Sequence, residues 1–247
     1  MNKSTNIIRR VYALFPVQRA LRFLFGTAID EKRFRHRDPA DVRLGFSNIT
    51  LPHREWLADR IIQGLNANKG ESLHIVEIGC GWGPNLAVLA RREQALQLTG
   101  VDISPASILE GRKRLQELGL NGITLLEMKG DDLNIFATDS ANVVFTDAML
   151  LYIGPDKIQQ TIQEMIRVAR DRLLFLEMHS KGASPGGYYM KDGWIRDYEA
   201  LLSLFVGKDA VHLEKISPRL RDAGRWPKYG TLVEVDLTNK TKKGISS

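Results

Sequence analysis

The sequence predicts an α/β fold: a mostly parallel sheet with helices on both faces, plus extra helices at the N-terminus. Three observations predict it. Strand and helix signals alternate regularly between residues 74 and 178, as in parallel strands joined by crossover helices. The first strand runs into a glycine-rich turn, Gly79-Cys80-Gly81-Trp82-Gly83, and the second ends on Asp102. A chain of 247 residues, 43% hydrophobic, can bury one sizeable core but does not comfortably hold two enzyme domains.

The elements follow in order. Residues 1–43 carry the whole net charge of +6, with ten Lys/Arg against four Asp/Glu. Ile7, Ile8, Val11, Leu14 and Phe15 share one helical face, and Arg9 and Arg10 fall on another, so the chain opens on a basic amphipathic helix. A second short helix is expected after Pro16, and no run is apolar enough for a signal peptide or a membrane span. Residues 30–43 are charged and poor in long apolar side chains, which predicts a surface connection or hinge. Pro52 starts a helix with Trp56, Leu57, Ile61 and Leu65 as its buried stripe, ending near residues 68–70.

Strands are expected at 74–78, 98–102, 122–127, 142–147 and 172–178, with helices at 85–92, 105–118 and 156–170 between them. Ser104 and Pro105 are a suitable N-cap and first residue for the second of these helices. Residues 194–205 read as helix, and 210–216 and 231–237 as two further strands. The organisation expected is a helical extension over 1–50, one main domain over 51–238 and a frayed tail over 239–247. The single cysteine, Cys80, excludes an internal disulfide framework and a Cys-rich zinc site, and fits a reducing cytoplasm.

In a doubly wound sheet, ligands bind beyond the carboxyl ends of the strands. Glycines at every second position let the backbone turn sharply and approach a ligand. Asp102, nineteen residues after Gly83, stands where a carboxylate accepts hydrogen bonds from ribose hydroxyls. Together they define a nucleoside pocket. A dinucleotide fingerprint would need glycine at 84 or 86, which are Pro84 and Leu86, so NAD is disfavoured.

The run Glu77-Ile78-Gly79-Cys80-Gly81-Trp82-Gly83, with Val101-Asp102 at the next strand end, resembles class I S-adenosylmethionine (SAM) dependent methyltransferases. The resemblance is good over about 53–180, weaker over 210–237 and silent elsewhere. It implies a seven-stranded sheet whose final antiparallel strand inserts beside the fifth. It also implies SAM as cofactor, S-adenosylhomocysteine (SAH) as product and no metal. By the same resemblance Gly79, Gly81 and Gly83 pack against the methionine part, Glu77 helps hold the amino group, and Asp102 holds the ribose. Either Asp131 or Asp132 would meet the adenine.

Methyl transfer from a sulfonium mainly requires alignment of the acceptor and, for a hydroxyl, removal of its proton. Acceptor groups are expected at the ends of strands four and five. There His179 is the preferred general base because imidazole titrates near neutral pH. Asp147 is the alternative, either as base or holding a metal with Glu177, and structural roles remain open for both. Tyr152, Tyr188, Trp194, Asp197 and Trp226 are the candidate acceptor-binding residues, since Trp and Tyr stack on rings while charged groups set polarity.

The expected activity is therefore methylation of a hydroxyl on a small molecule or glycan, lipid-linked acceptors included, in the cytoplasm. Residues 1–43 could touch an anionic membrane surface or close over the cofactor. The Trp-x-x-Asp-Tyr and Trp-x-x-Tyr-Gly segments are similar to those of bacterial surface-polysaccharide methyltransferases. Thr146-Asp147-Ala148-Met149 lacks the Asn/Asp-Pro-Pro-aromatic signature of nucleobase amino methyltransferases, which disfavours nucleic-acid bases. A protein or RNA methyltransferase, or a SAM-fold subunit without catalysis, is the alternative.

Overall fold

The computed structural model describes residues 26–65, 72–190 and 193–238. The helices expected within residues 1–25 and the tail at 239–247 lie outside the described residues. Seven strands form one sheet: β1 (Leu73–Ile78), β2 (Leu96–Asp102), β3 (Ile123–Glu127), β4 (Ala141–Asp147), β5 (Ala169–Met178), β8 (Val211–Lys215) and β9 (Gly230–Asp236). A two-stranded hairpin, β6 (Tyr188–Met190) and β7 (Gly193–Ile195), stands apart.

The order in the sheet is β3-β2-β1-β4-β5-β9-β8. Strands β1 to β5 pair in parallel, and β9 inserts antiparallel between β5 and β8. This is the sheet expected from the resemblance. Its direction of travel reverses between β1 and β4, so the chains leaving these neighbours diverge and open a crevice at their carboxyl ends.

Period-two alternation divides the core. On β1, β4 and β5, Ile75, Val143, Phe145, Leu174 and Leu176 face one cluster, and Val76, Val144, Leu173 and Phe175 the other. The first cluster packs against α3 (Pro52–Gln63), α4 (Pro84–Arg92) and α5 (Pro105–Glu117). The second packs against α6 (Ile158–Val168) and α7 (Tyr198–Leu202). Both faces being buried explains why these strands read as apolar runs rather than polar-apolar alternation.

Caps fix the helix starts. Ser104 accepts a hydrogen bond from the Ser107 amide at 3.2 Å, with Pro105 at the first position, as the sequence indicated. Helix α3 begins at Pro52 but ends at Gln63, a turn earlier than expected, with Gly64 at its C-cap.

Two segments differ from expectation. Residues 30–43, read as a surface connection, belong largely to two short helices, α1 (Ala28–Arg35) and α2 (Pro39–Leu44). Asp38 caps α2 by accepting from the Ala40 amide at 2.7 Å, and Pro39 pre-sets its first turn. Their low apolar content reflects what they cover, a cavity rather than the core. Residues 194–205, read as one helix, split instead. Trp194 and Ile195 pair with Tyr189 and Tyr188, Trp194 meets the Tyr189 ring edge-on at 5.5 Å, and only Tyr198–Leu202 is helical. Asp197 is the N-cap of α7, accepting from Ala200 at 3.1 Å, so the helix cannot begin before it.

Candidate functional site

The crevice beyond β1 and β4 holds a cavity of about 730 Å³, within the usual size of small-ligand sites. Its floor is the glycine turn. The Gly79 and Cys80 amides both donate to the Val101 carbonyl, at 2.8 and 3.0 Å, folding the turn against β2. Gly81 has φ +57°, and a side chain there would point into open space. This residue presents bare backbone to the cavity, as a closely approaching ligand requires. Gly79 and Gly83 serve packing more directly. A Cβ on Gly79 would stand 2.2 Å from Met149 Cγ, and one on Gly83 3.3 Å from Leu125. Gly79 and Gly81 line the cavity; Gly83, in a left-handed conformation, starts α4 instead.

Asp102 stands at the cavity wall. Its Oδ2 accepts from the Gly81 amide and its Oδ1 from the Ser104 amide, both at 2.8 Å, so one carboxylate ties the turn to the strand it ends. Burial raises its pKa, partly offset by these two amides. Each oxygen keeps a lone pair, and a ribose diol could use both. Further along, Met128, Lys129, Gly130 and Asp131 line the cavity. Asp131 pairs with Lys157 at 3.0 Å, whereas Asp132 faces a separate surface hollow beside Glu164 and Arg167. Of the two adenine candidates, Asp131 is the one at the cavity.

The opposite wall comes from within residues 1–43, for which covering the cofactor is one of the two expected roles. Thr27, Phe34, Arg37 and Asp38 of the α1–α2 segment line it, and Tyr152 joins them with its ring edge-on to Phe34 at 4.7 Å. Thr27 is tied down twice: its amide and hydroxyl donate to Asp156 at 2.9 and 2.8 Å, and its hydroxyl accepts from the Gly154 amide at 2.8 Å. At the far end Arg43 pairs with Glu110 at 3.0 Å. No apolar periodicity marks such a wall. The Asp38-Pro39 cap is the signal that could have been used.

Beside the glycine turn lies a buried polar cluster. Asn85 donates to Glu77 Oε1 at 2.7 Å and lies 3.4 Å from Asp147 Oδ2. His53 Nε2 is 3.4 Å from Asp147 Oδ2, and Arg221 donates to Asp147 Oδ1 at 2.5 Å while stacking 3.8 Å over the Trp226 ring. Burial alone would push the Asp147 carboxyl up, but the neighbouring His53 imidazole and the Arg221 charge outweigh it and hold it well below the usual range. Glu77 has only an amide for a partner, and burial pushes it up to about 8. Burial also lowers the Arg54 pKa, against the pull of Asp147 and Glu77. His53 and Arg54 at the start of α3, Asn85 and Arg221 were missed. Asn85 did carry a signal, being a polar residue in the otherwise apolar run Pro84–Leu89.

The remaining candidates sit elsewhere. His179 does not line the cavity: its Nδ1 accepts the Tyr198 amide at 3.2 Å, and burial lowers its pKa. Tyr188 is on β6, Trp194 is buried in the hairpin, and Asp197 caps α7 while accepting the Gly182 amide at 2.7 Å. Glu177 is wholly enclosed and accepts from the Met149 and Leu150 amides at 2.8 Å and from Thr146 at 3.0 Å. It shapes the loop after β4, which Arg196, also wholly buried, clamps through the Leu150 and Ile153 carbonyls. Among the described residues no group of three or more His, Cys, Asp or Glu could hold a metal ion, and no helix is long and apolar enough to cross a membrane.

A parallel sheet closed by an antiparallel pair, with a left-handed glycine turn and a carboxylate at the next strand end, defines the class I methyltransferase fold. Residues 75–172 match the family described as Methyltransferase domain. It is 28% identical over 116 residues to a tRNA (guanine-N(7)-)-methyltransferase of Christiangramia forsetii, covering 43% of this chain and 52% of that protein. It is 26% identical over 126 residues to trans-aconitate 2-methyltransferase of Escherichia coli, covering 51% and 47% respectively. The chain spans about half the length of these curated relatives. Among solved structures, magnesium protoporphyrin IX methyltransferase from Synechocystis with bound SAM superposes with a TM-score of 0.54. That match covers 90% of this chain and 95% of that one at 16% identity, a likeness of fold.

Proposed function

We propose that this chain transfers the methyl group of SAM to a hydroxyl of a small molecule or glycan. The observation that carries the reading is the cavity bounded by Gly81, which presents bare backbone, and by Asp102, which lines it. Gly81 leaves room for the cofactor beside the turn, Asp102 accepts from the ribose hydroxyls, and Asp131 stands where the nucleobase would lie. Bound SAM supplies a methyl group made electrophilic by its sulfonium. What the chain must add is alignment and a destination for the acceptor's proton.

The Asp147–His53 pair supplies that destination. A carboxylate held ionised beside an imidazole orients the ring and stabilises the imidazolium formed when the hydroxyl gives up its proton. Arg221, stacked on Trp226, keeps Asp147 ionised and out of the proton transfer. Neither histidine lines the cavity; His53 is favoured over His179 because it stands 3.4 Å from the Asp147 carboxylate, whereas His179 is engaged with α7.

The test is a transfer assay with labelled SAM over hydroxylated small molecules, sugar nucleotides, membrane lipids and RNA. The expected result is labelling of a small molecule or glycan, at least about 100-fold slower in Asp147→Asn while SAH still binds. Labelling confined to RNA would overturn the acceptor assignment. SAH binding with no transfer to any acceptor would favour a subunit without catalysis.

A further inference from the structure

The sheet has two edges, and they are finished differently. At one, the Met128 amide donates to the Asp102 carbonyl, so alternate residues of β3 turn their backbone towards β2 and Leu125 turns its own outward. Arg112 on α5 closes that edge by donating through Nη2 to the Leu125 carbonyl at 2.6 Å. At the other edge the Ile216 amide donates to the Gly230 carbonyl, which turns the backbone of Ile216, Glu214 and His212 towards β9. Val211, Leu213 and Lys215 therefore turn their amides and carbonyls outward. Among the described residues no strand lies beyond them, and residues 212–215 are exposed. Apolar surface flanks this edge: Leu213 is 39% exposed, and Leu204, just past the helix α7 that packs on β8, is 52% exposed. An open edge with apolar surface is a template for a further strand.

The strand Val211-His212-Leu213-Glu214-Lys215 is complementary to itself. Turned antiparallel about Leu213, a second copy sets each His212 beside the other's Glu214, on the face where Glu214 already pairs with Arg60 of α3. On the opposite face Leu213 meets Leu213, and Val211 lies beside Lys215. The outward-turned backbone suits this register, since Leu213 exchanges both hydrogen bonds with its copy and Val211 does so with Lys215. Centring the pair on Glu214 or on His212 would instead set like groups opposite each other, which is unfavourable for the carboxylates. We propose that β8 is the interface of a homodimer, two copies pairing these strands antiparallel about Leu213 and joining their sheets into one. Such an interface is two-fold and closes on itself, and Arg112 blocks growth from the far edge, so assembly stops at two. The dimer is independent of the cofactor reading.

The test is sedimentation velocity on the full chain at tens of micromolar protein, where the wild type is expected to be a dimer in exchange with monomer. Leu213→Pro removes an outward-turned amide and none of the bonds to β9, so the variant should melt cooperatively and sediment as a monomer. His212→Glu faces Glu214 of the other copy with a like charge twice per dimer and should weaken dimerisation by about 10-fold, whereas His212→Lys keeps the opposite charge and should hold it. Leu213→Cys places a thiol on the two-fold axis. The native Cys80 is buried, so mild oxidation should link two copies through residue 213 much faster than through an exposed control, Arg219→Cys. A monomeric wild type, a dimer that survives Leu213→Pro, or equal effects of His212→Glu and His212→Lys would overturn the interface. Should Leu213→Pro fail to fold, the His212 variants and the cross-link still decide, and linking no faster than the control overturns it as well.

Discussion

Asn85 donates to Glu77 Oε1 across 2.7 Å, joining the first turn of α4 to the end of β1 directly behind the glycine turn. The pair is buried and carries no cation of its own, which leaves Glu77 with a pKa near 8. Its ordinary value is 4.5. Between those values the folded protein keeps a proton that the unfolded chain has lost. Stability from this group is therefore undiminished below about pH 4.5 and falls as pH rises towards 8. Glu177, pushed up to about 7 by burial, adds a slope of the same sign over a narrower window. Glu77→Gln should flatten the decline, read by chemical denaturation at pH 5, 6.5 and 8. A decline as steep in the variant would place the proton elsewhere.

The Glu177 carboxylate fixes the loop after β4 by accepting the Met149 and Leu150 amides at 2.8 Å and the Leu151 amide at 3.3 Å. Removing it leaves several buried donors unpaired and a cavity, a loss of about 3–5 kcal/mol. Glu177→Ala should accordingly lower the melting temperature far more than Glu177→Gln, which keeps one accepting oxygen. Equal effects would mean that the amides find other partners.

The glycine turn separates backbone strain from steric clash. Gly79→Ala meets both a φ of +77° and a side chain 2.2 Å away, whereas Gly81→Ala meets only the φ of +57°. The first should destabilise the fold strongly. The second should cost about 1 kcal/mol in stability and yet weaken SAH binding, because its methyl enters the cavity. Melting curves and SAH titrations on the two variants check this; Gly81→Ala with normal SAH affinity would remove Gly81 from the cofactor contact.

How much of this was legible follows from where each signal resides. Strand order, the glycine turn and Asp102 are local features, set by apolar runs and spacing over a few residues. Ser104-Pro105 likewise announces its helix. The α1–α2 wall is held by contacts such as Thr27 to Asp156 and Arg43 to Glu110, which link positions far apart in the chain. Such ties leave no periodic trace. The His53–Asp147–Arg221 set is of the same kind, drawn from α3, β4 and the segment before α8 (Trp226–Tyr229). Trp194 was misread because an aromatic next to an apolar residue fits helix and strand alike, and the hairpin partner Tyr189 decides between them.

The α1–α2 wall depends on one hydroxyl at its start. Thr27→Val removes the Oγ1 bonds to Asp156 and Gly154 but keeps the volume. Cleavage by a protease between residues 28 and 44 should become several-fold faster, and SAH should protect the segment less well than in the wild type. An unchanged cleavage rate would show that the Glu31 and Arg43 ion pairs suffice to hold it.

The most direct measurement is calorimetric titration of SAH into the wild-type protein and into Asp102→Ala. The account predicts micromolar or tighter binding to the wild type and a loss of about 10- to 100-fold in the variant, with its melting curve showing that the sheet persists. Absence of binding to the wild type, or equal affinity in the two proteins, would contradict it.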